Sequence, residues 1–418
     1  MKSNEIAIEV TAAIDSMKDH AAEVLMDLIP FISVCGEEMG AVGRMKEILE
    51  SAGLAPTIVP LDPGIKSHPE YSHYTKEPSW EGRGNLVTEY GGAGTGRSLI
   101  LNAHLDIVPA EAWPDAYTPK RDGDVITGRG ACDDKGGVVA GYLALKALRD
   151  CGIEPAGKLS LHNVIDEETG GNGTLSLLAN GYTADAAIVG ECNENVISPA
   201  NRGALWFQLT TTGVSTHMGE IDNGISAIEK ANEAIEILHQ YERWLIENYM
   251  DHHYFRNLKN RPIQLCIGMI RAGEWPSMVP DNCIVEGGMG FLPNRDIDDI
   301  KRELRDWIHD RGGEWLRDHF TIRYDKLHNA AYEVPPDHPF VTCMQGAAPL
   351  AGVSEVLKGW TVSCDARLYP RVADMPVITL GPGKLVHAHS TNEQVDLGDI
   401  LTSAKMYAIT AVDWCGIV

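Results

Sequence analysis

Residues 158–171, KLSLHNVIDEETGG, drive an apolar-leaning strand straight into three consecutive carboxylates and then a glycine pair. Few folds can house such a segment. In an open α/β sheet the carboxyl ends of the strands are where ligands bind, so Asp166, Glu167 and Glu168 belong at that edge. Gathering carboxylates out of bulk water costs several kcal/mol for each unpaired ion, and like charges repel. A cation resolves both problems.

The same pattern recurs along the chain. Residues 98–104 (SLILNAH) end in His104, with Asp106 two positions on; residues 128–137 read GRGACDDKGG; residues 186–191 (AAIVGE) end in Glu191; and residues 381–393 (GPGKLVHAHSTNE) follow an apolar run at 377–380. Five such features at the ends of strand-like runs can converge on one crevice. Imidazole nitrogen with carboxylate oxygen and no thiolate suits zinc, manganese or cobalt, and surplus acids allow one to bridge two ions.

Between these runs, residues 136–149 (GGVVAGYLALKALR) place apolar side chains at helical spacing, and strand alternating with helix predicts an α/β domain. Residues 6–52 read as helix, interrupted at Pro30 and stopped by Gly53, and 55–60 as a strand. Residues 62–84, crowded with Pro, His, Tyr and Gly, predict a surface loop. From Arg202 the pattern becomes strand 204–212, helix 225–247, strands 264–270 and 283–291, helix 297–310 and strand 320–324. That order is the ferredoxin-like split unit. It predicts a domain at 201–328 inserted into one made of 1–200 and 329–418, the latter completed by helix 340–351, strand 377–380 and helix 399–414.

The 418 residues include 59 acidic and 35 basic ones, a formal charge of -24 that opposes nucleic acid and anionic membranes alike. No apolar run approaches the ~20 residues of a membrane span, and residues 1–20 are too polar for a leader. Nine cysteines without a C-x-x-C pair predict free thiols rather than disulfides or a thiolate metal site. These features predict a cytoplasmic protein with a small-molecule substrate, no nucleic-acid partner and no membrane partner.

The ordered motifs H-x-D, G-R-G-x-x-D-x-K-G-G, D-E-E-x-G-G, V-G-E and A-H-x-x-N-E, with a ferredoxin-like insertion before the last, resemble the M20 metallopeptidase/aminoacylase superfamily over essentially the whole chain. The resemblance to its acetylornithine deacetylase and succinyl-diaminopimelate desuccinylase branch implies a zinc-peptidase-like α/β catalytic domain, its mixed sheet flanked by helices, plus an inserted α+β dimerisation or lid domain. It implies two divalent ions, zinc first, with manganese or cobalt as alternatives. By position, His104 and Glu191 would hold one ion, Glu168 and His389 the other, and Asp133 would bridge them; the A-H-x-x-N-E frame selects His389 over His387. A cis peptide would join Asp133 to Asp134, where the family more commonly has Met. Asp106 would orient His104, and Glu167 would be the general base that moves a proton from the attacking water to the leaving nitrogen. His217, in GVSTHM, would cross to the neighbouring subunit of a homodimer and stabilise the oxyanion.

The implied activity is hydrolysis of a small-molecule amide, foremost deacylation of an N-acyl amino acid or related amine. An aminohydrolase or deformylase acting on an aromatic or heterocyclic amine is the alternative, and a non-catalytic metal-binding relative a more distant one. Residues 273–281 (GEWPSMVPD) match a deacetylase-like and deformylase-like branch, but the arginine that commonly stands near Gly288 to clamp a substrate carboxylate is missing. Arg202, Trp275 and Ser277 are the candidate substrate contacts; Arg271 and Arg367 are alternative arginines, and Trp360 and Tyr369 possible walls.

Overall fold

The computed structural model describes residues 2–74, 76–256, 258 and 261–418. It divides into two compact units, Met1–Ala200 with Val334–Trp360 and Cys364–Val418, and Asn201–Glu333 with Thr361–Ser363.

The first unit is built on a six-stranded sheet in the spatial order Pro56–Pro60, Gly84–Gly91, Lys158–Val164, Leu99–His104, Ala187–Val189, Val377–Thr379. The first two joints are antiparallel and the last three parallel. All six residues of Leu99–His104 are buried, as expected of an unbroken apolar run flanked by parallel partners. Parallel strands put their carboxyl ends at one edge, so His104 and the segments entered after Val164, Val189 and Thr379 emerge together.

Helices Lys135–Asp150 and Leu397–Cys415 pack on one another and against the Leu99–His104 strand, and Lys2–Ser16, Lys18–Leu28 and Pro339–Ala351 join them. Lys135–Asp150 is buried nearly all round, which its continuous small and apolar sequence permits. A small sheet pairs Lys120–Asp122 with Val125–Thr127 and Val125–Thr127 with Gln394–Asp396, fastening the segment after His389 beside the turn that carries Asp133.

The loop expected at 62–84 does run largely at the surface, but it is anchored in the interior at a few points. Ile65, Glu70, Tyr71, Ser72 and Arg83 are all buried. Turn-forming residues hide this in the sequence, because the segment packs through scattered side chains with no helical or strand period.

The second unit contains strands Gly203–Thr212, Gln264–Ala272, Asn282–Phe291 and Phe320–Arg323, with helices Ala227–Tyr249 and Ile297–Arg311 packed together. Strand order is Gln264–Ala272, Asn282–Phe291, Gly203–Thr212, Phe320–Arg323, antiparallel throughout, which is the ferredoxin-like arrangement. Ser226 and Asp296 cap the two helices through their side-chain oxygens. The expected limit at residue 328 falls inside a further pairing, His328–Asn329 against Ala204 and Leu205, and the unit runs on to Glu333. No described helix is long and apolar enough to cross a membrane.

Candidate metal centre

The five segments emerging at the carboxyl edge of the first unit do meet. His104 Nε2 lies 3.0 Å from Asp133 Oδ1, and His389 Nε2 lies 3.3 Å from Asp133 Oδ2 and 3.1 Å from Glu168 Oε2. Each oxygen of one carboxylate thus faces a different histidine. Ligand atoms of His104, Glu167 and Glu191 form one group within 4.8 Å, and those of His104, Asp133 and Glu168 another. Tetrahedral zinc with bonds of about 2.1 Å sets its ligand atoms about 3.4 Å apart, so these spacings fit metal ligation. His389, rather than His387, is the histidine brought to the acids, and it does so in the left-handed region at φ 57°.

Charge tells the same story. Asp106, Asp133, Asp134 and Glu191 are buried, and burial together with neighbouring carboxylates pushes the Glu167 and Glu191 carboxyls well above the ordinary range. Burial, then Asp133, raises Glu168 to about 7. His389 is pushed up to about 11, first by Asp133 and then by Glu168, and the acids around His104 hold it protonated against burial. This donor set fits divalent cations.

Asp106 works on two ligands at once. His104 Nδ1 donates to the Asp106 carbonyl at 3.0 Å, leaving Nε2 for a metal, and the Glu168 amide donates to Asp106 Oδ2 at 3.0 Å. Asp134 is fully buried, and its Oδ2 accepts from the His104 amide at 3.3 Å. The Asp133–Asp134 peptide is cis.

Several supports carry no motif signal of their own. Asp166 accepts from Arg83, from Tyr74 Oη at 2.6 Å and from Cys35 at 3.4 Å, anchoring the acidic turn at φ 66°. Ser72 exchanges hydrogen bonds with Asn172, its amide donating at 3.1 Å and its carbonyl accepting at 2.9 Å. Arg367 donates to the Gly170 carbonyl at 2.9 Å and to Glu70 at 2.8 Å, so it is a buried structural arginine and not a substrate clamp. Gly171, at φ 82°, has no room for a side chain: a Cβ would sit 2.3 Å from Asp365 Oδ1.

In the second unit, His217, Trp275 and Ser277 share one turn region. The Met218 amide donates to the Ser277 carbonyl at 2.9 Å, and the Met278 amide to the Trp275 carbonyl at 3.1 Å. His217 is exposed, and its Nδ1 accepts from the Gly219 amide at 3.1 Å; Trp275 is 70% exposed. Arg202 lies elsewhere in this unit. Its Nη1 is 2.5 Å from where a Cβ on Gly290 would stand, and it points at the Pro262 carbonyl at 3.4 Å. Arg271 is paired with Glu286 at 2.9 Å. In the first unit, Trp360 and Tyr369 are buried, Tyr369 completely, as core residues are.

The family model for peptidase family M20/M25/M40 matches residues 100–413. The chain belongs to that family. It is therefore a hydrolase of amide C–N bonds. The M20 chain is 29% identical to an N-formyl-4-amino-5-aminomethyl-2-methylpyrimidine deformylase of Bacillus subtilis, over 76% of its own length and 79% of the relative's. It is 26% identical to an acetylornithine deacetylase of Photorhabdus laumondii, over 81% and 85%. In fold it is similar to a dinuclear metal-binding M20 peptidase of Bacillus subtilis, with a TM-score of 0.67 at 15% identity over 97% of this chain and 100% of that one.

Proposed function

We propose that this M20 hydrolase removes a short acyl group, formyl or acetyl, from the nitrogen of a small amine, using two divalent ions of which zinc suits the donor set best. The observation that carries the reading is the Asp133 carboxylate spread between His104 and His389, with Glu167 beside them. His104, Asp133 and Glu191 would hold one ion, and His389, Glu168 and Asp133 the other. Bound there, the ions supply Lewis-acid polarisation of the amide carbonyl and lower the proton affinity of water.

The chain's own part is proton traffic and positioning. Glu167 takes a proton from the attacking water on its carboxylate and passes it to the leaving nitrogen. Its place beside His104 and Glu191 supports that role, since the carboxylate then lies next to the ion that would hold the water. Asp106 keeps His104 and the Glu168 backbone in register.

The first unit is the catalytic domain in this reading, and the second a dimerisation lid whose His217 serves the neighbouring subunit. The Gly219 contact to Nδ1 supports it, because a neutral His217 then carries its proton on Nε2, free to donate to an oxyanion. Nine cysteines outside any disulfide among the described residues suit a reducing, cytoplasmic setting.

Formamides of heteroaromatic amines are the favoured substrates. The pyrimidine deformylase supports this, as does the strand Asn282–Phe291 carrying no arginine of its own near Gly288, where a carboxylate clamp commonly stands. A panel of formylated amines, acetylated amino acids and free aromatic amines, assayed with zinc and with manganese, tests the reading. Formate release is expected; ammonia release without formate or acetate would overturn it. Mixing Glu167→Ala and His217→Ala subunits should restore activity if the site is shared.

A further inference from the structure

We propose that His252, His253 and Glu333, all in the second unit, form an additional site for a divalent transition-metal ion, separate from the acid cluster and not required for turnover. The two histidines follow the 23-residue helix Ala227–Tyr249, and Glu333 closes the unit's stretch of chain. Their rings stack with centroids 4.7 Å apart and planes 16° apart, and the ligand atoms of the two histidines and Glu333 all lie within 4.8 Å of one another. Glu333 Oε2 lies 3.2 Å from His252 Nε2 and 3.6 Å from His253 Nε2.

A shared hydrogen bond does not account for both distances. At 3.6 Å the His253 contact is outside hydrogen-bond range. The ligand atoms of a tetrahedral zinc site stand about 3.4 Å apart, and the two distances bracket that value. Two imidazoles and one carboxylate leave one position for water, and His253 and Glu333 are 47% and 39% exposed, so water can reach it. His252 is 5% exposed, so its ring is held in place by the surrounding packing.

One contact changes on binding. The Tyr254 amide approaches His252 Nδ1 at 3.4 Å, longer than a normal hydrogen bond. Ligation through Nε2 moves the ring proton to Nδ1 and gives up that contact. The ion in return ties the end of the long helix to Glu333, so its effect is on stability.

The test is zinc content per chain after gel filtration in buffered zinc, for the full-length protein and for His253→Ala and Glu333→Gln. Each variant is expected to carry one ion fewer than the parent, whatever number the acid cluster holds, with kcat at saturating metal within about two-fold of the parent. Crystals of the parent protein should give a zinc anomalous peak between the two imidazoles and Glu333. Unchanged zinc content in both variants, or no peak at that position, would overturn the proposal.

Discussion

Glu393 Oε1 accepts hydrogen bonds from the amides of both Cys132 and Asp133, each at 3.0 Å, while its other oxygen receives Arg129. Four residues after His389, the chain therefore reaches back to hold the carboxylate that His389 faces. Glu393→Ala leaves those amides and a buried guanidinium without their acceptor. Zinc affinity should fall about 10–100-fold, as for other residues that orient ligands, and Glu393→Gln, which keeps an acceptor oxygen, should lose less. A zinc titration of both variants decides it; equal affinity for parent and alanine variant would dismiss the role.

Glu167→Gln separates the base from the ligands. The amide keeps the size of the side chain but cannot carry a proton between water and nitrogen. Metal content should be unchanged while kcat falls about 10²–10⁴-fold. Metal analysis alongside turnover measures this, and a variant retaining parental kcat would remove Glu167 from the mechanism.

Arg367→Met takes from the buried Glu70 one of its two guanidinium partners, leaving Arg371, and frees the Gly170 carbonyl. Breaking such a buried pair costs about 3 kcal/mol or more, read as a lower urea midpoint. Adding Glu70→Gln should return part of the loss, because the half-balanced buried carboxylate is then gone and Arg371, 42% exposed, can turn to water. Failure of the double variant to recover any stability would mean that Arg367 acts through packing alone.

His162, buried in the Lys158–Val164 strand, has its proton affinity lowered by burial to about 3 from 6.5. The unfolded chain therefore binds this proton first. The cost is absent above pH 6.5 and grows as pH falls toward 3. By pH 5 it amounts to about 2 kcal/mol of lost stability. Urea unfolding at pH 7.5 and pH 5 should show a smaller acid penalty in His162→Leu than in the parent; identical penalties would refute it.

What the sequence made legible was whatever sits in a continuous run. His104, Glu167, Glu168 and Glu191 each end an apolar strand, so local pattern placed them at one edge, and the ferredoxin-like order was readable because its elements are long. The supports were not legible. Glu393 and Arg129 are separated by 264 positions, and Arg367 and Glu70 by 297. A carboxylate that pins an amide looks, in a string of letters, like one that meets solvent. His328–Asn329 is too short to show a strand period, and the segment from 62 to 84 hid its buried anchors behind turn-forming residues.

That segment gives the acidic turn a second owner. Through Tyr74 on Asp166, Ser72 on Gly170 and Asn172, and Glu70 on Arg367, the backbone that presents Glu167 is braced by chain lying some hundred residues upstream. Residues 76–82 are largely exposed, and a protease cut there would sever none of the ligands. It would convert the brace into a separable part, and since Glu167 and Glu168 are neighbours on the one braced turn, base and ligand would lose their aim together. Changes of length in 76–82 then act on the site at a distance, without altering any residue in it.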